Sequence, residues 1–222
     1  MHDLSLQLND AISRQPLLCH EFYVRWQEGT LSREELQGYA KEYYAFESEF
    51  PRFISSVHSK LKNPEHRRAL LENLIHEEQG GENHPELWLQ FAEGLGVDRS
   101  EVKSHFHSDE TEYLLRVFRK HAASSNPIDG LASLYAYEKQ QPEVAKTKRE
   151  GLKCFYGVTE PHAVAFFNAH EHYDIEHAGT ELGILNDLCQ DDFSDTRATE
   201  IVNETTHALY EFLDGVTRRY RH

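Results

Sequence analysis

Apolar side chains recur at three- and four-residue intervals along nearly the whole chain, and they nowhere alternate for long enough to build a sheet. The pattern predicts an all-α fold. The breaks between periodic segments carry helix-start chemistry. Ser32 can cap a helix and Glu35 can reach back to it in a capping box. That helix is expected to continue to about Leu61, bent at Pro51, which brings no amide donor. Asp98 with Glu101, Asn126-Pro127 and Thr159-Glu160-Pro161 mark three further starts. A helix beginning near Glu65 is interrupted by Gly80-Gly81 and restarts at Asn83-His84-Pro85. Two long helices follow, from about Pro161 to Cys189 and from about Thr196 to Arg219. No repeat, low-complexity tract or Gly/Ser-rich linker divides the 222 residues. They read as one domain, 1–222, and the short connections favour an antiparallel bundle.

Composition removes whole classes of partner. Lys and Arg number 23 against 38 Asp and Glu, a net charge of −15. Such a surface repels phosphate backbones and anionic lipid, so neither nucleic acid nor a membrane is expected. No apolar run approaches the roughly 20 residues of a membrane span. The first ten residues, MHDLSLQLND, lack the basic and apolar regions of a signal peptide, which makes the cytoplasm the expected address. Cys19, Cys154 and Cys189 stand far apart with no CxxC pair, against disulfides and a zinc ribbon. The 15 histidines are many for a chain of this length, and their spacing decides what they mean.

His170, Asp174 and His177 lie at i, i+4 and i+7, so one helix would project all three from one face. Two imidazoles and a carboxylate converging in this way form part of a site for Fe, Mn or Zn. A merely solvated, charged face is equally open at this point, and Glu171, His172 and Glu176 belong to it. Glu77 and His84 are seven residues apart across the double glycine, which would let His84 swing back toward Glu77; otherwise His84 only heads the next helix. Glu138 ends an apolar stretch that begins at Pro127, where a lone carboxylate is costly unless it is paired or metal-bound, or else lies at the surface. Together Glu77, His84, Glu138, His170, Asp174 and His177 supply three carboxylates and three imidazoles. That set can be split between two ions and offsets most of their +4 charge. A ferritin-like bundle would want two ExxH pairs. Glu204-Thr205-Thr206-His207 is the one such pair, and Asp174-Ile175-Glu176-His177 is only a near match, so that architecture fits poorly. Tyr39, Tyr43, Phe46 and Phe50 form a helical stripe of the kind that is usually core packing. Within it the phenols of Tyr39 and Tyr43 are the oxidisable members.

Through Glu21-Phe22-Tyr23-Val24-Arg25-Trp26, Gln37 to Tyr44, Glu77 to His84, Tyr135-Ala136-Tyr137-Glu138 and His170 to His177, the chain resembles the CADD-like proteins. These are named for a chlamydial protein associating with death domains. They belong to the haem-oxygenase-like di-metal oxidases, whose wider relatives include TenA and PqqC. The resemblance spans nearly the whole chain. It implies a haem-oxygenase-like bundle of seven to eight helices, assembled as a homodimer, that binds two metal ions rather than haem. The ions would be iron with iron or iron with manganese, held by Glu77, His84, Glu138, His170, Asp174 and His177. It further implies a dioxygen-activating enzyme, fed by an external reductant, that makes para-aminobenzoate for folate synthesis and consumes itself in doing so. Tyr23 matches the tyrosine that gives the ring and Lys148 the lysine that gives the amino nitrogen. Phe166, four residues before His170, stands where a relative has tyrosine, so a radical relay would run through Tyr39, Tyr43 or Tyr137 instead. Read by itself, Lys148 is an ordinary solvated lysine, roughly 15 Å along an unbroken helix from Glu138, and Tyr23 beside Trp26 is core. Three rival functions stand beside this one. They are a TenA-like hydrolase of a thiamin fragment using a nucleophilic cysteine, a cofactor-free PqqC-like oxidase, and a non-enzymatic protein-binding module.

Overall fold

The computed structural model describes residues 3–221, and every regular element among them is helical. In chain order these are α1 (Leu4–Ser13), α2 (Glu21–Glu28), α3 (Arg33–His58), α4 (Pro64–Glu78), α5 (His84–Gly94), α6 (Arg99–Lys103), α7 (Asp109–Ala123), α8 (Pro127–Glu138), α9 (Gln141–Gly151), α10 (Pro161–Leu188) and α11 (Asp192–Tyr220). A 3-10 turn at Leu17–Cys19 precedes α2, and a π-helical turn at Leu152–Tyr156 follows α9. The expected bundle is therefore cut into more segments than its principal helices, because short breaks such as Gln79–Asn83 and Lys139–Gln140 divide longer runs.

The helix starts follow from local chemistry. Ser32 and Glu35 form the anticipated capping box at α3, and Asn63, Asn83, Asp98 and Asn126 each accept a backbone amide of the helix they precede. The Thr159-Glu160-Pro161 start holds, with Pro161 the first residue of α10 and Glu160 before it making no side-chain bond. One expectation needs correction. The last helix begins at Asp192 rather than near Thr196, because Asp191 and Ser194 form a reciprocal capping box one turn earlier.

Helices α3, α8 and α10 carry the interior. α10 packs on α9, α5 and α8, α11 packs on α7 and α8, and α3 runs against α7 and α5. Buried apolar residues from Leu4 to Val216 form one continuous cluster. The Tyr39-Tyr43-Phe46-Phe50 stripe of α3 is entirely within it. No helix among the described residues is long and apolar enough to cross a membrane.

One buried carboxylate serves the fold alone. Glu42, fully buried on α3, accepts from Thr111 Oγ1 at 2.6 Å, Arg219 Nη1 at 2.8 Å and the Ser108 amide at 3.1 Å, and it lies 3.0 Å from His105 Nε2. It thus ties α3 to α7 and to the end of α11. Burial works against its charge, but the bonds from His105, Thr111 and Ser108 hold its pKa down at about 2. Glu42→Ala strands this whole set of donors, and urea unfolding should show a loss of about 3–5 kcal/mol. Because the folded pKa is depressed, the contribution is complete above the ordinary carboxyl pKa of 4.5 and fades as pH falls toward 2.

Candidate metal centre

Four helices deliver the six expected ligands to one place. Glu77 sits in the last turn of α4, and His84 is the first residue of α5. Between them Gly80 takes φ +88°, a left-handed conformation that glycine adopts without strain. This turn brings His84 Nδ1 to 2.7 Å from Glu77 Oε2. Glu138 closes α8, and α10 presents His170, Asp174 and His177 on its inner face. Each of the six is at most 2% exposed. Glu171, His172 and Glu176 lie on the outer face as expected, with Glu171 paired to Arg149.

The ligand atoms fall into two groups, each spanning no more than 4.8 Å. One holds Glu77, Glu138, Asp174 and His177; the other holds His84, His170 and Glu47. Glu77 touches both through its contact with His84. His177 Nδ1 lies 3.4 Å from Asp174 Oδ1 and 3.5 Å from Glu138 Oε1. His170 Nδ1 lies 2.7 Å from Asp174 Oδ2, and its Nε2 has no partner.

The same atoms stand out as unsatisfied. Both oxygens of Glu47, Glu77, Glu138 and Glu181, with Asp174 Oδ1, His84 Nδ1, His170 Nε2 and His177 Nδ1, are buried with no hydrogen bond. A buried polar group without a partner costs about 1–3 kcal/mol, and native interiors contain few of them. Concentrated on facing carboxylates and imidazoles, this pattern is what divalent cations would relieve, so the residues fit a pair of metal ions. Protonation follows the same logic. Burial alone would lower His84 and His177, but Glu77 holds the first up at about 9, and Asp174 with Glu138 holds the second up at about 10. Burial raises Glu138 and, together with neighbouring acids, pushes Glu47 and Glu181 well above the usual carboxyl range. Asp174 alone is held low, by His170 and His177 against burial. Metal ligation requires the deprotonated forms, so an entering ion would displace these protons.

A second constellation adjoins the first. Lys148, on the inner face of α9, is 1% exposed. Its Nζ donates to Tyr39 Oη at 2.6 Å and lies 5.2 Å from the ring centre of Tyr23, 5.0 Å from that of Tyr39 and 5.3 Å from that of Tyr43. Tyr23 Oη is 3.3 Å from Tyr39 Oη, so the amine and both phenols meet at one point. Burial among these rings lowers the lysine pKa to about 7, with Glu47 opposing the drop. The solvated lysine on a helix continuous with Glu138 is thereby corrected. α8 ends at Glu138, the chain turns through Lys139 and Gln140, and Pro142 opens α9 as a separate helix. Trp26 then fixes the backbone beneath Lys148 by donating from Nε1 to its carbonyl at 3.0 Å. Gly151 permits this approach, since a Cβ there would lie 2.6 Å from the indole.

The remaining tyrosines continue the line. The rings of Tyr39 and Tyr43 are 5.5 Å apart, and the hydroxyls of Tyr43 and Tyr137 are hydrogen-bonded. Phe166 lies against His170 with ring centres 4.2 Å apart and planes tilted by 46°, so this position borders a candidate ligand imidazole. A cleft of about 300 Å³ lies between the α8–α9 turn and α10, lined by Tyr135, Lys139, Pro142, Asp174, Ile175 and Gly179, and so borders the cluster at Asp174.

Sequence reasoning missed three residues here. Glu47 follows Tyr43 by four positions on the aromatic stripe, and Glu181 follows His177 by four on the ligand face; either spacing was a usable signal. His76 lies 2.9 Å from His177 Nε2 through its Nδ1 and stacks on Tyr173. Its contact crosses from α4 to α10, which spacing does not reveal. Cysteine chemistry finds no support. Cys19 and Cys154 are exposed outside both ligand groups, and burial pushes the Cys189 thiol up to about 11, where it is a poor nucleophile.

Comparison with known proteins agrees with the fold. The TENA/THI-4/PQQC family model matches residues 7–219. A 4-aminobenzoate synthase of Chlamydia trachomatis serovar D is 38% identical over 209 residues, covering 94% of this chain and 90% of that protein. A 4-aminobenzoate synthase of Nitrosomonas europaea is 35% identical over 96% of this chain and 91% of that protein. Among solved structures, a TenA homologue from Pseudomonas syringae pv. tomato superposes with a TM-score of 0.81 at 19% identity, over 97% of this chain and 91% of that one. The bundle is thus the haem-oxygenase-like one that the motif stretches implied, and with the family model running almost end to end the chain belongs to the TENA/THI-4/PQQC family, on its CADD-like side.

Proposed function

We propose that this protein makes 4-aminobenzoate from its own side chains, Tyr23 giving the ring and Lys148 the nitrogen. The observation that carries the reading is the burial of Lys148 with its amine against the Tyr39 and Tyr23 hydroxyls, next to a cluster of buried metal-ligand side chains. The names of the 35–38% identical relatives support it.

The product defines what must happen to Tyr23. Its ring already carries substituents at opposite ends, an oxygen and Cβ. 4-Aminobenzoate carries nitrogen and a carboxylate at those ends. The Cα–Cβ bond must break, leaving a bare Cα at position 23, and Cβ must be oxidised to a carboxylate. The phenolic oxygen must leave as water in favour of Nζ of Lys148, whose bond to Cε must break as Cε is oxidised to an aldehyde. Dioxygen is the oxidant and an external reductant supplies the balancing electrons. Glu77, Glu138, Asp174 and His177 would hold one metal ion, with His84, His170 and a share of Glu77 holding the other. Mixed carboxylate and imidazole donors suit iron paired with iron or with manganese. When bound, such a pair supplies the oxidising power of activated dioxygen.

The chain's own residues do the rest. Lys148 is poised to act as a nucleophile because burial lowers its pKa to about 7, so a large share of the amine is neutral at pH 7. Tyr39 accepts its hydrogen bond and holds it beside Tyr23. Tyr39, Tyr43 and Tyr137 link that pocket toward the ligands, and their buried phenols offer a path for oxidising equivalents that Phe166 does not. Trp88 and Phe167 line the other side of the amine, at 5.9 and 5.8 Å from ring centre to Nζ, and keep water out.

The test is aerobic reaction of the metal-free protein supplied with Fe(II), Mn(II) and a reductant, read by chromatography and intact mass. One product molecule at most per chain is expected, matched by a mass loss confined to Tyr23 and Lys148. Below pH 7 the protonated amine lacks its lone pair, so the rate should rise as pH climbs through about 7. Many turnovers on an added aromatic substrate, with the chain mass unchanged, would overturn the reading.

A further inference from the structure

We infer that Glu47 is a seventh metal-binding side chain, completing the position formed by His84 and His170; the inference rests on the di-metal reading above. Its geometry is the first ground. A carboxylate oxygen of Glu47 and nitrogens of His84 and His170 all lie within 4.8 Å of one another, although the three residues come from α3, α5 and α10. The second is that Glu47 has no other occupation. It is 0% exposed, neither oxygen accepts a hydrogen bond, and no cation of the described residues comes within ion-pair distance. Lys148, the buried amine nearby, is engaged with Tyr39 instead. A carboxylate so placed is costly unless a metal takes it.

Charge gives the third ground. Three carboxylates among the six expected ligands leave two divalent ions with an excess of one positive charge in a fully buried site. Glu47 brings the sum to zero. It also evens the two positions. Without it the His84–His170 side has a carboxylate only through Glu77, whereas the other side has Glu77, Glu138 and Asp174. The other candidates do not compete. Glu181, equally unpartnered, belongs to neither ligand group. Glu42, grouped with His105 and His107, has its oxygens taken by Thr111, Ser108 and Arg219. Placing a ligand on α3, one turn beyond Tyr43, would fasten one ion to the helix that carries Tyr39 and Tyr43.

Cobalt(II) titration of the metal-free full chain, followed by visible absorption and chelator competition, tests this. The wild-type chain should bind two equivalents. Glu47→Gln, close in shape but neutral, should bind one equivalent normally and the second at least about 100-fold more weakly, since even outer-sphere changes commonly cost 10–100-fold. Glu181→Gln removes an equally buried carboxyl outside the ligand groups and should keep both equivalents within about tenfold of wild type. A crystal structure of the cobalt-loaded wild type should place a Glu47 oxygen roughly 2.0–2.2 Å from an ion. Two tightly bound ions in Glu47→Gln, equal weakening by Glu181→Gln, or a loaded structure with Glu47 turned away each overturns the assignment while leaving two metals intact. A wild-type chain that binds no ion overturns the di-metal reading itself.

Discussion

Tyr23→Phe should bind its metals normally, fold normally and release no 4-aminobenzoate. The variant keeps the ring, its packing against Phe22 and all six candidate ligands. What it loses is the oxygen that nitrogen must replace. The structural cost is one long hydrogen bond of 3.3 Å to Tyr39, worth about 1 kcal/mol or less. Lys148→Arg should be equally inert for a different reason. Guanidinium does not give up its proton at any accessible pH and brings five donors into a pocket walled by rings. Product yield is expected to fall from near one per chain to below detection in both. Metal analysis and circular dichroism serve as controls. Undiminished product from Tyr23→Phe would remove this residue from the chemistry and leave Tyr39 or Tyr43 to be examined.

Metal loading should change stability as strongly as these substitutions change yield. Three imidazoles and at least three carboxylates are held together in the fold with unsatisfied atoms facing one another. The unfolded chain offers no such cluster, so binding energy appears as folding energy. An ion present at a thousand times its Kd adds about 4 kcal/mol, which for a chain of this length raises Tm by roughly 8–16 °C. Calorimetry with and without Fe(II) or Mn(II), then with a chelator, measures it. The shift should be larger at pH 8 than at pH 6, because His84 and His177, with pKa values raised to about 9 and about 10, surrender protons to the metal. A Tm indifferent to metal at both pH values would contradict the site.

Local signals explain what could be read from the sequence. Ser32 with Glu35, Asn83 and Asn126 announce helices because a cap is made within four residues, and the structure has each of them. His170, Asp174 and His177 share a face because a helix has a fixed pitch, so they were visible for the same reason. Glu77, His84 and Glu138 were legible only as costly or oddly placed polar groups, and the bundle alone shows them facing one another. Lys148 was misjudged because its environment depends on the turn at Lys139 and Gln140 and on the indole of Trp26, which is 122 residues away in the chain. Glu47 has a usable spacing from Tyr43, but a glutamate on a long helix is usually solvated, and the packing of α3 against α5 shows that this one is not.

The packing around Tyr23 bears on the fate of a chain that has reacted. Tyr23 is 3% exposed and wedged among the Phe22 ring, the Tyr39 hydroxyl and the Lys148 amine. Excising its ring leaves a void of aromatic size, and such voids cost about 3–5 kcal/mol. A used copy would therefore open more often than a fresh one and be cut first by cellular proteases. If Tyr23 is consumed as proposed, disposal would need no separate tag, because the reaction would itself leave the exhausted polypeptide vulnerable.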